Sequence, residues 1–424
     1  MTLLPRFFRV GQSFARPQVI DLSSEVQRQL AGIDLAQRVA SGQSVAITVG
    51  SRGITNIAAI AKLCVDYFKR LGAHPFIIPA MGSHGGATAD GQSRVLASYG
   101  VTEPLMGCPI RSSMDVVEVC QAAEGFPVYF DREASLADHV FVLNRIKPHT
   151  RFTGDIESGL MKMMLIGLGK QKGAEVYHRV IMNYSFDQIV RSVSRTVIER
   201  CCIVGGLAIL ENAYEETAQL TALRPEEIEA REPALLRQVK AWMPGLPFDH
   251  AQLLIVDRIG KDISGTGMDT NVVGRKLNDH GSPDELPFIH HIYVRGLTEA
   301  THGNATGLGM AEMCHRRVIA EMDMQLMRMN CITAGHITAA MIPLDFPSDL
   351  EALRIGCQLA GYIEADRVPI QWITDTLHLE EIECSEAYWE AAQGRPELKI
   401  LREPTPLAFD ANGDLIPMCR DAPP

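Results

Sequence analysis

The sequence has no C-x-x-C pair, no Walker or G-x-G-x-x-G loop, no surplus of basic residues and no long apolar run. Each absence excludes something. The ten cysteines include the neighbours Cys201 and Cys202, but none has the spacing of a metal site. Several stand inside apolar runs (Cys64, Cys331, Cys357), which predicts buried thiols in a reducing compartment rather than a disulfide framework. Without the phosphate-loop signatures, a dinucleotide or triphosphate site is not indicated. A net charge of −11 argues against a nucleic-acid partner, although a local basic pocket for a small anion stays open. No apolar run reaches the ~18 residues of a membrane span, and MTLLPRFFRVGQ holds no sustained apolar stretch of the leader type. The expectation is a soluble, cytoplasmic protein with no membrane partner. Internal repeats and low-complexity segments are also absent.

What is present is an ordinary globular composition, 46% hydrophobic and 21% charged, over 424 residues. That length exceeds one core, so two domains are expected. The stretch WMPGLPFDH (242–250) carries two prolines and a glycine and reads as the hinge. It puts a first domain at 1–248 and a second at 249–404, with the tail 405–424 able to pack back on the first.

Short β-branched runs alternate with longer amphipathic stretches. SVAITVG, PFIIPAM, VVEVC, PVYF, HVFVLN and IVGGLAIL read as strands in the first region, and AQLLIVD, FIHHIYVRGL and PIQWIT in the second. Helices are predicted from about Asn56 to Leu71 with Asn56 as N-cap, through Leu96 with Thr88 as N-cap, and along EVYHRVIMNYSFDQIVRSVSRTVIER as one long element. Further helices are expected near 308–323 and 348–361, and a hairpin around Asn412-Gly413. ESGLMKMMLIGLG is apolar nearly all round and should be a buried helix. The alternation predicts an α/β fold with mainly parallel sheets. Ligands in such sheets sit beyond the carboxyl ends of the strands, where SRGITN and GSHGGATADG both open.

The candidate chemistry lies in those loops and in RIKPHTRFTGDIESGLMKMMLIGLGKQKGAEVYHR. His84 is flanked by Gly82, Gly85 and Gly86, which let a ligand approach the backbone; a capped turn is the plainer alternative. His149 follows Pro148 at a strand exit, and Arg145, Lys147 and Arg151 make its surroundings cationic, suited to a carboxylate or phosphate. A surface basic cluster reads the same way. Lys162 stands in an apolar helix, where lost hydration lowers an amine pKa and makes a nucleophile; the alternatives are a snorkelling side chain or a pair with Glu157. His178 is either a metal ligand or a structural residue. Arg52, beside Ser51, is a candidate anion clamp at a helix start. GKDISGTGMDTN, with Lys261, Asp262 and Asp269 and with Arg275 beyond it, is a lid, a cleft wall or a plain surface loop.

Together these residues resemble the nickel-dependent lactate racemase family, the enzymes of the nickel-pincer nucleotide. Gly82-Ser83-His84 matches that family's G-[ST]-H loop, and Lys147-Pro148-His149 its K-P-H-like motif. Lys162 and His178 keep the sixteen-residue separation between a cofactor-bound lysine and a nickel-ligating histidine. The resemblance spans most of the chain and is clearest from Ser44 to Arg179. There are departures. The first loop reads VGSRGIT, which supplies Arg52 but lacks the family's Asp, and the His149-to-Lys162 segment is a few residues longer. Lys261-Asp262 are kept, while a downstream Gln and a carboxylate-binding Lys have no counterpart.

The resemblance implies an active site in the cleft between the two domains and a nickel-dependent racemase or epimerase of 2-hydroxy acids, a divergent member. The implied cofactor is the nickel-pincer nucleotide (Ni-pyridinium-3,5-bisthiocarboxylic acid mononucleotide), covalent on Lys162 and ligated through nickel by His178. Ser51, Arg52 and Gly85 would line its site. His84 and His149 would be paired acid/bases, one for each mirror form of the substrate. Arg52, Lys147 and Lys261 would face the substrate carboxylate. Two alternatives accompany this reading: a non-catalytic protein that stores the nickel cofactor, and a sugar-acid dehydratase or lyase using Lys162 as a Schiff-base amine. The partner expected is a small 2-hydroxy acid, and a homo-oligomer is allowed.

Overall fold

In the computed structural model, residues 4–51, 53–333 and 335–416 are described. The chain forms two units. Residues 15–243 make one, and residues 1–14 with 244–424 make the other. The division falls within the Pro- and Gly-containing stretch after Trp242. Residues 7–12, placed in the first domain by the linear order of the chain, belong instead to the second unit. The strand Phe7–Gln12 pairs antiparallel with Glu381–Ser385 and Leu398–Thr405, so its hydrogen bonds fix its unit. The loop Phe409–Leu415, an antiparallel bridge around Asn412-Gly413, also lies in that unit.

The 15–243 unit is built on a five-stranded sheet in the order His74–Pro79, Ser44–Val49, His139–Arg145, Ile203–Glu211, Thr217–Leu223. The first four are parallel and the last is antiparallel. Their near-continuous apolar runs follow from burial on both faces, with Ile57–Arg70 and Phe186–Arg200 among the covering helices. The other unit carries an eight-stranded sheet in which five strands, from Leu344–Phe346 to Ile370–Ile373, pair in parallel and three more join through antiparallel pairing. Both units are thus α/β with mainly parallel sheets. Among the described residues, no helix is long and apolar enough to cross a membrane.

Local details depart from the sequence pattern in three places. Asn56 does not cap its helix. It adopts a left-handed conformation, and its amide donates to Thr217 Oγ1 at 3.1 Å. The element expected over 175–200 is two helices, Lys170–Val180 and Phe186–Arg200, because Ser185 caps the second through Gln188 N–H. The helix expected over 308–323 shortens to Arg316–Glu321 after a strand, Met313–His315. Thr88 does cap its helix, accepting from Gly91 N–H at 3.0 Å.

Candidate active site

Four parallel strands of the 15–243 unit end on one edge of their sheet, and the chemistry-bearing loops leave from there. Ser51 follows the strand ending at Val49, His84 follows the strand ending at Pro79, and His149 follows the strand ending at Arg145. Across this edge lies the apolar segment predicted as a buried helix. One helical turn, Leu160–Lys162, leads into a wide π turn, Met163–Gly167, closed by Leu168 N–H donating to Met163 O at 2.9 Å. Such turns often occur at functional sites. Small residues let it approach the strands. A Cβ on Gly50 would meet Met163 Cε at 3.2 Å, and one on Gly167 would lie 2.8 Å from Ala80 O.

Lys162 sits in that first turn. It is half-buried, and its Nζ lies 5.4 Å from the centre of the Phe152 ring. Phe152 in turn stacks on His149, with ring centres 4.1 Å apart and planes 10° apart, and on Phe186 at 4.0 Å. His149 Nδ1 accepts from the N–H groups of Arg151 and Phe152, both at 3.1 Å. In its neutral form the ring therefore carries its proton on Nε2. The His149 N–H donates to Glu157 Oε2 at 2.8 Å, and Lys240 pairs with the other oxygen of this buried carboxylate at 2.6 Å.

His178 lies on the helix Lys170–Val180, half-buried. Burial, and then the positive charge of Lys162, push its pKa below the ordinary imidazole value. A lowered pKa favours the neutral imidazole, the form with a lone pair to give.

The His84 loop is exposed and shaped by glycine. Ser51 Oγ hydrogen-bonds His84 Nδ1, and Tyr99 OH donates to Ser51 O. Gly85 has φ +68°, and a Cβ there would come within 2.7 Å of Gln92 N, so this position admits no side chain without rearrangement. Ser51 and His84 form one contact, and His149, Phe152 and Lys162 form another. Gly50 against Met163 links the two.

The remaining site residues fall elsewhere. Arg52 lies outside the described residues. Lys147 is half-buried, with its N–H on Ser158 O at 3.2 Å. Lys261 belongs to the other unit, where its Nζ donates to Gly265 O at 2.6 Å. The cationic neighbourhood expected around His149 is weaker than its sequence, because Arg145 is ion-paired with buried Glu211.

Several residues escape the sequence pattern. In this segment the fully buried lysine is Lys170, not Lys162. Its Nζ donates to Pro79 O and lies 2.8 Å from Asp131 Oδ2, an ion-pair contact off the hydrogen-bond direction. It also reaches Gln92 Oε1 at 3.4 Å, and Gln92 Nε2 donates to Gly82 O at 2.9 Å and His84 O at 3.3 Å. This network ties the His84 loop to the first residue of the His178 helix. Its only sequence signal was the glycine-bounded GLGKQKG.

In the other unit, His315, Asp349 and Asp414 are close enough together to suggest a metal centre. Their partners give them another role. Asp349 takes Arg295 at 2.7 Å, Tyr293 OH at 2.7 Å and Leu415 N–H at 2.8 Å. His315 Nδ1 accepts Arg317 N–H at 3.0 Å, so Nε2 carries the proton toward Asp414. Arg295 and Arg317 balance the two carboxylates, and the cluster fastens the 410–415 loop.

No protein-family model matches this chain, and no curated protein matches it by sequence. Among solved structures, that of the lactate racemase apoprotein from Thermoanaerobacterium thermosaccharolyticum is similar, with a TM-score of 0.54. The match covers 86% of this chain and 94% of that one, at 13% identity. At that identity the likeness establishes a shared fold.

Proposed function

We propose that this chain is a racemase or epimerase of a 2-hydroxy acid that works with a nickel-pincer nucleotide. The observation that carries the proposal is the place of Lys162 against Phe152, itself stacked on His149, in a segment packed on the carboxyl edge of a parallel sheet; the lowered pKa of His178 on the next helix accords with it. The fold shared with a lactate racemase apoprotein supports it.

The residues present fit the group. Lys162 is half-buried beside an aromatic face and offers an amine for attachment. His178, kept neutral, offers a nitrogen of the kind that nickel takes. Gly53 and Gly86, in the two loops that leave this edge, have open space where a Cβ would stand, so a phosphate or ring can approach their backbone closely. When bound, such a group supplies what no side chain can, an acceptor for the C2 hydrogen as hydride.

The chain's own residues would do the rest. His149 Nε2 and the His84 imidazole would each hold or release the proton of the substrate hydroxyl, one for each enantiomer. Ser51 Oγ on His84 Nδ1 orients that ring. Lys147, Lys261 and Arg52 would take the carboxylate.

The test uses protein co-expressed with cofactor-synthesis enzymes and nickel. Single enantiomers of 2-hydroxy acids, protonated or deuterated at C2, are assayed by chiral chromatography. Interconversion slowed by deuterium, with the label kept at C2, supports the proposal. A loaded protein that interconverts none of them is a cofactor store, and the racemase reading fails.

A further inference from the structure

Beneath the turn that carries Lys162 lies a carboxyl group that the proposed chemistry does not use. Glu232 sits on the helix Pro225–Trp242, on the same stripe as the buried Ile228, Leu235, Leu236 and Val239. Its Oε2 accepts Met161 N–H at 3.2 Å, one residue before Lys162. Among the described residues no donor reaches Oε1. That oxygen is pressed against Gly159, where a Cβ would lie 2.2 Å away. Asn144 holds the same turn from the sheet, its amide donating to Gly159 O at 2.8 Å.

We propose that Glu232 is a positioning residue for Lys162. Its carboxylate caps the first turn of the Lys162 segment from a separate helix, and that hold weakens when the carboxyl takes a proton. A short helix start leaves backbone N–H groups without partners, and a carboxylate is a stronger acceptor for them than a neutral acid. What this coupling serves rests on the role proposed for Lys162; the coupling itself does not.

The surroundings set the protonation range. Burial raises the Glu232 pKa to about 7, while the N–H groups of Met161 and Leu160 and the charge of Arg191 oppose the rise. Several other charges on the packed elements are already paired. Arg191 is held by Asp187 and Glu229, Arg195 by Glu229, and Glu211 by Arg145. Lys162 stands on the capped turn itself.

The test needs neither cofactor nor substrate. Lysines of the full chain are dimethylated with ¹³C-formaldehyde, and the Lys162 signal is identified by its loss in Lys162→Arg. Its chemical shift is then followed from pH 5 to pH 10. We expect an inflection near pH 7 in the unsubstituted protein, in addition to the amine's own titration. Glu232→Gln should remove it, while His178→Asn and His149→Asn, which take away the nearby titrating rings, should each retain it. If Glu232→Gln fails to fold, Glu232→Asp, which shortens the reach to Met161 N–H, should shift the inflection, and an unmoved inflection overturns the proposal. An inflection that disappears with His178 or His149, or none near neutrality, overturns the proposal. Failure of the racemase assay leaves this result unchanged, so the two proposals fail separately.

Discussion

Lys162 and Lys170 stand eight positions apart in one glycine-punctuated segment, yet their environments are opposite. Lys170 is fully buried and has an ion pair with Asp131, a carbonyl acceptor on Pro79 and contact with Gln92. Lys162 is half-buried over an aromatic face, with its charge felt by His178. The first is part of the architecture, and the second stands against an aromatic ring in the segment to which the proposed chemistry is assigned. On the proposed reading, burial alone picks the wrong lysine as the reactive one.

The largest effect should follow from breaking the Lys170 side. Lys170→Met leaves Asp131 as a buried charge without its cation, at a cost of about 3–5 kcal/mol. Denaturant unfolding should read this, and adding Asp131→Asn should recover part of it. Because Gln92 carries the effect to Gly82 and His84, amide exchange in the 82–87 loop should quicken as well.

Next comes the turn under Lys162. The Glu232 pKa rises from 4.5 to about 7 on folding, so the folded state binds its proton more tightly than the unfolded chain. Stability from this group is highest below pH 4.5 and falls as pH rises to about 7, with no further change above. The shift corresponds to about 3 kcal/mol across that window. Glu232→Gln should flatten the slope in a pH series of unfolding curves.

Gly85→Ala places a Cβ near Gln92 N at φ +68° and should cost about 1–3 kcal/mol, read as a lowered Tm. Smallest of all, Lys162→Met should change stability by under about 1 kcal/mol, the scale of a partly exposed cation–ring contact. A loss as large as that of Lys170→Met would erase the distinction between the two lysines.

These contrasts also mark how far the sequence could be read. The strands were legible because each is a short β-branched run between glycine or polar punctuation, and their order gives the parallel sheet. The segment around Lys162 was legible as buried because it is apolar on every side. Lys170 was not, since GKQKG looks polar and its partners Asp131 and Gln92 lie far upstream. Glu232 was hidden by its company. The 211–243 stretch reads as polar and Glu-rich, and only the alignment of Ile228, Leu235, Leu236 and Val239 places this one glutamate on the core stripe. Phe152, two positions after Thr150, gave no periodic cue to its stack between His149 and Phe186. The pairing of Phe7–Gln12 with strands near the other end of the chain has no local signal at all.

Peptide mass mapping of protein made with nickel and the cofactor-synthesis enzymes decides whether the site is what its residues suggest. A lactate racemase loaded in the same cells serves as the control. A nucleotide-derived adduct on Lys162, with Lys170 unmodified, is the expected result. An unmodified Lys162 alongside a fully loaded control would contradict it.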